Sequence, residues 1–400
     1  MKRLIPTLFL SLTSFLTLGA QEENNQELSF AIGADVSWCT EMESKGKKFY
    51  NDNGVSTELM TLMSQIGMNA IRLRVWVNPE NKYGPWCDKA DVLAKARRAH
   101  EAGLKLLIDF HYSDFFTDPS QQAKPAAWAS ATMDQLKDSV AHHTTDVLQA
   151  LKDEGIEPLW VQVGNETRPG MIFDEGKIDW NKSGEARYKG YVELSNAGYD
   201  AVKSVLPDAK VIVHIDKAPD NNVWFYRDFK KYGGKFDMIG LSCSPEAETW
   251  STDIDNTATQ ITTLVSTFNV PVMIVETGYF CSKETESEQV MAKLFEKTAG
   301  LSNMVGIFYW EPEQYNWWKP AYYTKVGWNA YDRAAFKSNG RPGKGLNPFR
   351  QYAETLSVKQ VKATVKSLPN NYFDLQGRCL GKDAPLHKGI YIVNGKKVVK

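Results

Sequence analysis

The stretch EPLWVQVGNE, residues 157–166, decides the fold: it is a short, largely apolar run that ends in Asn165 and Glu166. Such a run is typical of a strand buried on both faces, as in a parallel sheet. A second run, VPVMIVETGYF (270–280), carries Glu276 at its end. A carboxyl group at the tip of a buried strand lies where burial and neighbours can tune its pKa. Both glutamates are therefore candidate catalytic residues, although either one alone could be a helix cap or a turn residue.

Eight runs of this kind recur along the chain and predict eight strands. They are FAIGADV (30–36), MNAIRLRVWV (68–77), LKLLIDFHY (104–112), EPLWVQVGNE (157–166), AKVIVHI (209–215), FDMIGLS (236–242), VPVMIVE (270–276) and MVGIFYW (304–310). Helical spacing with charged faces fills intervening stretches such as 88–103, 139–155 and 286–300, each of which ends in glycine. No GxGxxG motif or P-loop follows the first strand. The pattern predicts an α/β fold, a closed (β/α)8 TIM barrel over residues 28–356, rather than an open doubly wound sheet.

The two ends of the chain differ from this pattern. Residues 1–20 carry Lys2 and Arg3, then an apolar run, then small residues, which predicts a secretory signal peptide cleaved near Ala20. No other stretch is apolar over the roughly 18 residues of a membrane span. Residues 357–400 alternate apolar and polar residues between turn signals and predict a short C-terminal β-rich tail. This tail is either a sorting signal or a stabilising appendage.

Composition excludes several classes of protein. The 400 residues are 42% hydrophobic, enough for a sizeable core, and the formal net charge is only −1. Such a balance gives no basic surface for nucleic acid and no polybasic patch for a membrane. Most of the 12 tryptophans are expected to pack in the core, but an excess of tryptophan near loops suits a cleft in which flat aromatic faces stack on sugar rings.

Polar residues cluster at the predicted strand ends. In a (β/α)8 barrel these ends and their loops meet on one face, where function resides. The residues at these positions are Arg72, Arg74, Asp109, His111, Tyr112, Asp114, Asn165, Glu166, His214, Asp216, Glu276, Trp310 and Glu311. A structural alternative is that Arg72, Arg74 and Asp109 pair with one another inside the barrel. In the same way, His111 and His214 could be hydrogen-bonded core histidines.

Several motifs resemble glycoside hydrolase family 53, the endo-β-1,4-galactanases of the (β/α)8 clan A. They are GADVSW (33–38), FYNDNG (49–54), IRLRVWVNP (71–79), DFHYSDFFTDP (109–119), KPAAW (124–128), VGNE (163–166) followed by Gly170-Met171, VETGY (275–279) and FYWEP (308–312). The resemblance runs from about Ser29 to about Glu354. DFHYSD with KPAAW is specific for this family, whereas Asn-Glu followed by a later strand-end Glu is common to the clan.

The resemblance implies retaining endo-hydrolysis of pectic galactan, with Glu166 as acid/base and Glu276 as nucleophile. It also implies that Arg74, His111, Asn165 and Trp310 surround the sugar at the scissile bond. We add the strand-end residues Asp114, His214 and Asp216 as candidate substrate-binding residues. Arg74 is expected to lower the pKa of Glu276, while apolar neighbours raise that of Glu166. A secreted, periplasmic or cell-surface monomer with no cofactor, metal, nucleic acid or membrane span is expected.

The chain departs from the family at two functional places. Ser242-Cys243-Ser244-Pro245 stands where many members have Ser-Tyr-Tyr-Pro, so a hydroxyl expected to orient the nucleophile is missing. The segment CSKETESEQ (281–289) lacks the alternating oxygen ligands of a calcium loop. Two alternatives to a galactanase therefore stay open: another clan A endo-glycosidase such as a mannanase or cellulase, and a non-catalytic carbohydrate-binding barrel.

Five cysteines show no metal-binding spacing. In an exported chain some of them could be bridged, and barrel order makes Cys39 with Cys87 and Cys243 with Cys281 the neighbouring-loop pairs. Free thiols are the alternative, and Cys379 is expected to be unpaired.

Overall fold

The structure is a computed structural model that describes residues 28–79, 84–356, 371–373, 379–382, 390–393 and 396–399. The predicted signal peptide lies outside the described residues. So does most of the predicted tail.

Eight parallel strands close into a barrel in chain order, with β1 paired to both β2 and β8. The strands are β1 (Ala31–Asp35), β2 (Ala70–Val75), β3 (Lys105–Phe110), β4 (Trp160–Val163), β5 (Lys210–Ile215), β6 (Met238–Cys243), β7 (Val272–Thr277) and β8 (Met304–Trp310). Every strand falls inside its predicted run, except for one residue at the ends of β6 and β7. The predicted TIM barrel is confirmed.

Helices cover the outside of the barrel. They span Cys39–Ser44, Leu59–Ile66, Lys89–Glu101, Met133–Asp153, Glu185–Val205, Val223–Lys231, Trp250–Phe268, Glu284–Thr298 and Ala321–Val326, and residues 347–356 are also helical. The helix after β3 begins earlier than the predicted stretch because Thr132 and Gln135 form a reciprocal capping box at its start. In a barrel of this kind the first turn of such a helix lies at the same end as the carboxyl ends of the strands.

The barrel interior changes from apolar to polar along the strand direction. Near the start of the strands, a separate cluster of buried apolar side chains fills the barrel: Ala31, Ala70, Leu107, Trp160, Ile212, Met238, Met273, Val275 and Phe308. Two residues further along several strands, side chains on the same face are polar, as in Arg72 after Ala70 and Asp109 after Leu107. The strand period of two therefore places a polar layer above an apolar floor.

Small residues make room for large ones in this floor. Gly33 of β1 is paired with Phe308 of β8, and a methyl group at Gly33 would collide with the Phe308 ring. The same two strands pair Ala31 with Gly306, where a methyl group would lie 2.6 Å from the Ala31 Cβ. Close packing of this kind tolerates little added volume.

A β-bulge interrupts the pairing of β6 with β7. Leu241 lies opposite Ile274, but the next residue, Ser242, lies opposite Glu276. Val275 is thus the extra residue, and bulges of this kind re-aim side chains beside active sites. The result is that Ser242 and Glu276 become direct neighbours.

The predicted β-rich tail is confirmed as a separate four-stranded sheet in the order β10-β9-β11-β12. Its strands are β9 (Tyr372–Phe373), β10 (Cys379–Gly381), β11 (Ile390–Val393) and β12 (Lys396–Val399). Among the described residues, none of the helices combines the length and the apolar character needed to cross a bilayer.

Candidate active site

A cleft of about 250 Å³ lies at the carboxyl ends of the barrel strands and contains both predicted glutamates. It is lined by His111, Phe116, Thr117, Asp118, Asn165, Glu166, Ser244, Glu276, Thr277, Trp310, Tyr323, Trp328, Tyr331 and Arg333. Five of the predicted residues, His111, Asn165, Glu166, Glu276 and Trp310, are in this lining. A buried aromatic wall with a few polar groups is the usual character of a sugar-binding cleft.

Glu166 follows β4 in an uncommon backbone conformation. Its φ is 49°, in the left-handed region that residues other than Gly and Asn seldom adopt. The backbone N–H of Glu166 lies 3.3 Å from Nδ1 of His214, and its carbonyl oxygen lies 3.4 Å from Nε2 of Gln122. Strained residues that the surroundings hold in place concentrate at functional sites. The local structure thus turns the Glu166 carboxyl group into the cleft instead of along the strand.

Glu276 is held by Arg72, which lies on β2. An Arg72 Nη2 lies 2.8 Å from Oε1 of Glu276. The same guanidinium contacts Asp35 of β1 at 2.7 Å and Asp109 of β3 at 2.8 Å. The structural alternative raised for Arg72 is therefore right in part, because Arg72 pairs inside the barrel with Asp109 and also reaches the candidate nucleophile.

The prediction that Arg74 neighbours Glu276 is wrong. Arg74 is fully buried, forms an ion pair with Glu311, and its guanidinium lies 4.5 Å from the centroid of the Phe116 ring. It is not among the cleft-lining residues. Both arginines occupy the same face of β2, but only Arg72 lies level with the glutamate of β7. Arg74 therefore supports the wall of the cleft from behind Phe116.

The two glutamates have different electrostatic surroundings. Burial raises the pKa of Glu276 to about 7, although the charge of Arg72 acts in the opposite direction. The expectation of a net lowering is thus wrong, because desolvation exceeds the attraction of the guanidinium. Burial and then the negative charge of Glu276 raise the pKa of Glu166 well above its usual range. The pair loses its first proton at Glu276, beside Arg72, and Glu166 keeps its proton as the expected acid.

Asn165 and His111 lie in the cleft wall with most of their polar atoms already engaged. The Asn165 side chain accepts a hydrogen bond from Arg72 at 3.0 Å and donates one to the Thr117 carbonyl at 2.7 Å. His111 accepts the Thr117 N–H at Nδ1 and has Nε2 3.0 Å from Asp109. Burial lowers the pKa of His111, so its ring is neutral and its proton is on Nε2.

The fully buried His214 lies beneath the two glutamates. Its Nε2 lies 2.8 Å from the hydroxyl of Ser242, while Nδ1 faces the Glu166 N–H. Burial lowers the pKa of His214 well below its ordinary value. The ring contacts catalytic candidates but not the cleft itself, so the alternative of a hydrogen-bonded core histidine describes it better than substrate binding.

The structure does not bring Asp114 or Asp216 to the cleft lining. Asp114 accepts hydrogen bonds from the N–H groups of Asn78 and Ala126, which fixes the two loops to each other. Asp216 lies 2.5 Å from Nε of Arg168. These contacts show that the two carboxylates hold loops in place. The prediction failed because a position at a strand end does not decide whether the side chain faces the cleft.

Sequence reasoning missed the residues contributed by the long segment after β8. Tyr323, Trp328, Tyr331 and Arg333 all line the cleft. The Tyr331 ring meets Trp310 edge-on at 4.7 Å, and Trp38 meets it at 5.4 Å, so the indole of Trp310 is held on two sides. The signal that could have found them is the density of aromatic residues over 315–331.

Ser242 supplies a hydroxyl group beside the candidate nucleophile. Its Oγ lies 3.4 Å from Oε2 of Glu276, and while burial raises the pKa of Glu166, the same hydroxyl acts on it in the opposite direction. The bulge between β6 and β7 makes this contact possible. The departure noted at Cys243 and Ser244 therefore does not leave the nucleophile without a hydroxyl donor.

Of the two alternatives left open for the cysteines, bridged pairs and free thiols, the structure shows free thiols. Cys39, Cys87, Cys243 and Cys281 are all free thiols. Each of three thiols has another neighbour: Cys39 lies against Arg98, Cys87 faces the Ser37 carbonyl, and Cys243 faces Thr257. The side chain of Cys379 lies outside the described residues. Within the described part of the chain, no group of three or more His, Cys, Asp or Glu residues is arranged to hold a metal ion.

Comparison with known proteins points to one family. The model of Glycosyl hydrolase family 53 matches residues 31–298. An arabinogalactan endo-β-1,4-galactanase of Cellvibrio japonicus is 36% identical over 256 residues, which are 62% of this chain and 66% of that protein. An endo-β-1,4-galactanase of Bacillus subtilis is 29% identical over 385 residues, covering 82% of this chain and 86% of its own. A solved structure of fungal β-1,4-galactanases matches with a TM-score of 0.69 and 27% identity, over 80% of this chain and 98% of that chain.

Proposed function

The chain belongs to glycosyl hydrolase family 53, and on that premise we propose that it cleaves β-1,4-galactan internally with retention of anomeric configuration. The observation that carries the proposal is the pair of glutamates with unlike surroundings in one aromatic cleft. Glu276 has an arginine at 2.8 Å that favours its ionised form. Glu166 is kept protonated by burial and by the charge of Glu276.

In the first step, the Glu276 carboxylate attacks the anomeric carbon while Glu166 gives its proton to the departing glycosidic oxygen. The glycosidic bond breaks, an ester to Glu276 forms, and Glu166 becomes a carboxylate. In the second step, Glu166 takes a proton from water, the water oxygen attacks the anomeric carbon, and the ester breaks. The two inversions together retain the configuration.

The surrounding residues fit the roles of orienting and excluding water. Arg72 stabilises the Glu276 carboxylate before attack and after its release. Trp310, fixed by Trp38 and Tyr331, offers an indole surface to the apolar face of the sugar. Asn165, which is 5% exposed and lines the cleft, is placed beside Glu166 to contact the sugar hydroxyl next to the anomeric carbon.

Azide rescue tests the two roles. We expect Glu276→Ala and Glu166→Ala each to lower the rate by several orders of magnitude, because each removes one partner of the reaction, while the barrel stays folded. With an activated galactoside, azide should restore turnover to the Glu166 variant with retained configuration and to the Glu276 variant with inverted configuration. Anomeric assignment of the glycosyl azides by NMR is the measurement, and swapped stereochemistry would reverse the two roles.

A polysaccharide panel tests the substrate. β-1,4-Galactan has an axial 4-linkage that curves the chain, and the relatives named as galactanases support this substrate for the present cleft. Debranched galactan should give a ladder of short oligosaccharides, with little release from mannan or carboxymethylcellulose. Comparable cleavage of mannan or cellulose would favour another clan A activity. Binding of galactan without turnover by the wild type would favour the carbohydrate-binding barrel.

We also propose that the protein is exported as a monomer and acts outside the cytoplasm, which fits a polymeric substrate. The support is the order of charged, apolar and small residues in positions 1–20. Expression with its own leader in a Gram-negative host should give a product whose N-terminus is Gln21, as read by mass spectrometry of the intact protein. A product that keeps Met1 and stays in the cytoplasm would contradict export, and light scattering would report the assembly state.

A further inference from the structure

Ser242 is near the end of β6 with its hydroxyl group in contact with two functional side chains. Oγ lies 2.8 Å from Nε2 of His214 and 3.4 Å from Oε2 of Glu276, and while burial raises the pKa of Glu166, the Ser242 hydroxyl acts on it in the opposite direction. The side chain is only 5% exposed, so water has little access to compete for these contacts. A hydroxyl group has one proton to donate and two lone pairs to accept with. Which contact receives that proton is therefore decided by its neighbours.

The protonation of His214 determines where the Ser242 hydroxyl donates its proton. The backbone N–H of Glu166 lies 3.3 Å from Nδ1, and Nε2 of Gln162 lies 2.9 Å from the same nitrogen. Both are donors, and the Gln162 amide is oriented by its hydrogen bond to Asp109 at 2.6 Å. Asn165 Oδ1 is also 3.0 Å from Nδ1, but this oxygen already accepts from Arg72. Nδ1 is therefore the acceptor, and the neutral ring carries its proton on Nε2.

It follows that His214 donates to Ser242, and that Ser242 has its own proton left for the carboxyl groups above it. The β6–β7 bulge brings Ser242 opposite Glu276, and the same hydroxyl also acts on the pKa of Glu166, against the larger effect of burial. In the proposed double displacement the negative charge is on Glu276 before attack, on Glu166 while the ester exists, and on Glu276 again after hydrolysis. A single hydroxyl between two alternating anions can serve both by rotating about its Cβ–Oγ bond.

We propose that Ser242 is a positioning residue whose hydroxyl proton turns to whichever of Glu276 and Glu166 is ionised, with His214 as the fixed donor behind it. This role rests on the proposed function and deepens it. No bond to Ser242 forms or breaks, and its proton stays on Oγ throughout. Ser242 stands at the Ser of the Ser-Tyr-Tyr-Pro motif, so it remains beside Glu276 in a chain where Cys243 and Ser244 stand in place of the tyrosines.

The test compares Ser242→Ala with Ser242→Thr, which keeps the hydroxyl group, and with Ser195→Ala, which removes an equally buried hydroxyl from the outer helix Glu185–Val205. Ser242→Ala should lower kcat on galactan about 10- to 100-fold with little change in KM, the size expected when a hydrogen bond to a charged group is lost. Ser242→Thr should recover most of this loss. Ser195→Ala should behave as wild type.

The pH profile of kcat/KM separates positioning from a structural effect. Ser242→Ala should move the acidic limb to higher pH by about half to one unit, because Glu276 loses a hydrogen bond that favours its ionised form, and should leave the basic limb in place, because the single hydroxyl proton is already engaged with Glu276 when Glu166 ionises in the free enzyme. The other charged or titratable groups facing the site stay in place in all variants: Arg72, Asp35, Asp109 and His214 around Glu276, and Asp118 and Asp216 around Glu166. An acidic limb that does not move would overturn the role of the Ser242 hydroxyl.

A direct titration keeps this inference separate from the proposed function. With ¹³C-labelled glutamate carboxyl groups, Ser242→Ala should raise the titration midpoint of Glu276 in a Glu166→Gln background and that of Glu166 in a Glu276→Gln background, where each glutamate is the only one of the pair that can ionise. Unchanged midpoints in a folded variant would refute the role of Ser242. Absence of galactan cleavage by the wild type would instead refute the proposed function. If Ser242→Ala does not fold, the nearly isosteric Ser242→Cys, a much weaker donor, gives the same comparison.

Discussion

Arg72 is the residue on which most of the polar layer depends. One buried guanidinium contacts carboxylates from β1, β3 and β7, namely Asp35, Asp109 and Glu276. A planar, permanently charged fork can satisfy several carboxylates at once, whereas a lysine ammonium is a single compact charge. Removal of one partner from a buried ionic network leaves charges uncompensated, which costs about 3–5 kcal/mol.

The two arginines of β2 give a matched pair of substitutions. We expect Arg72→Lys to lower kcat/KM at least 100-fold and to move its acidic limb to higher pH, because Glu276 loses part of the attraction that offsets its burial. Arg74→Lys should destabilise the fold while leaving the acidic limb in place, since Arg74 pairs with Glu311. pH–rate profiles and thermal unfolding of both variants are the measurements. If only the Arg74→Lys variant had a shifted acidic limb, Arg74 and not Arg72 would be the arginine that lowers the pKa of Glu276.

The sequence identifies the two candidate catalytic glutamates but not the charged partner of each. Glu166 and Glu276 could be found because strand-end glutamates in parallel runs are few. Arg72 and Arg74 are two residues apart and share one face of β2, so the strand period cannot distinguish them. Their heights relative to β7 depend on barrel register, which arises from closure of all eight strands. Long-range register is therefore the reason that the wrong arginine was predicted.

At the scale of elements, β1 and β8 pack closely where Gly33 lies opposite Phe308. Gly33→Ala should lower stability by about 1–3 kcal/mol, because the added methyl group must displace the Phe308 ring in a closely packed interior. Gly300→Ala is the matched control, since no atom lies within 4 Å of a methyl group there and its backbone is not left-handed. Denaturant unfolding of both variants is the measurement. Equal stability of Gly33→Ala and wild type would show that the floor can relax.

Strands were predictable and the bulge was not. Each of the eight apolar runs gave a strand because a buried parallel strand needs side chains that are apolar on both faces. The bulge in β7 has no signal in the sequence, because VMIVET is as regular an apolar run as those of the other strands. Only the pairing with β6 shows that Val275 is the extra residue. The long segment after β8 was also missed, because loops that pack through aromatic contacts lack a period.

For the whole molecule, several buried carboxyl groups predict a dependence of stability on pH. Glu313 is fully buried with both carboxyl oxygens lacking a hydrogen-bond partner, and burial and then the charge of Glu311 raise its pKa well above its usual range. Burial also raises the pKa of Glu311 to about 7. A carboxyl group with a raised pKa in the folded state contributes stability that is present below the unfolded pKa of about 4.3 and lost as pH rises.

Glu313→Gln isolates this contribution. Its melting temperature should exceed that of the wild type by a few degrees at pH 8, and the difference should shrink as the pH falls to about 4, where Glu313 becomes protonated in the unfolded state as well as in the folded state. Each kcal/mol corresponds to about 2–4 °C. Taking the difference removes other titrations, such as those of the buried histidines. Glu101→Gln, at an exposed position, is the control. A difference that grows toward acid pH would contradict the predicted sign.

Free thiols within the described part of the chain have a practical consequence for handling this protein. Cys39, Cys87 and Cys243 are buried, and burial raises the pKa of Cys87 to about 11 and that of Cys243 to about 12, so these thiols resist reagents that attack thiolates. Folding does not have to wait for an oxidant, and a reductant in the buffer leaves the barrel intact. Labelling at these three positions would then proceed only as fast as the barrel opens, so the labelling rate would report the rate of opening.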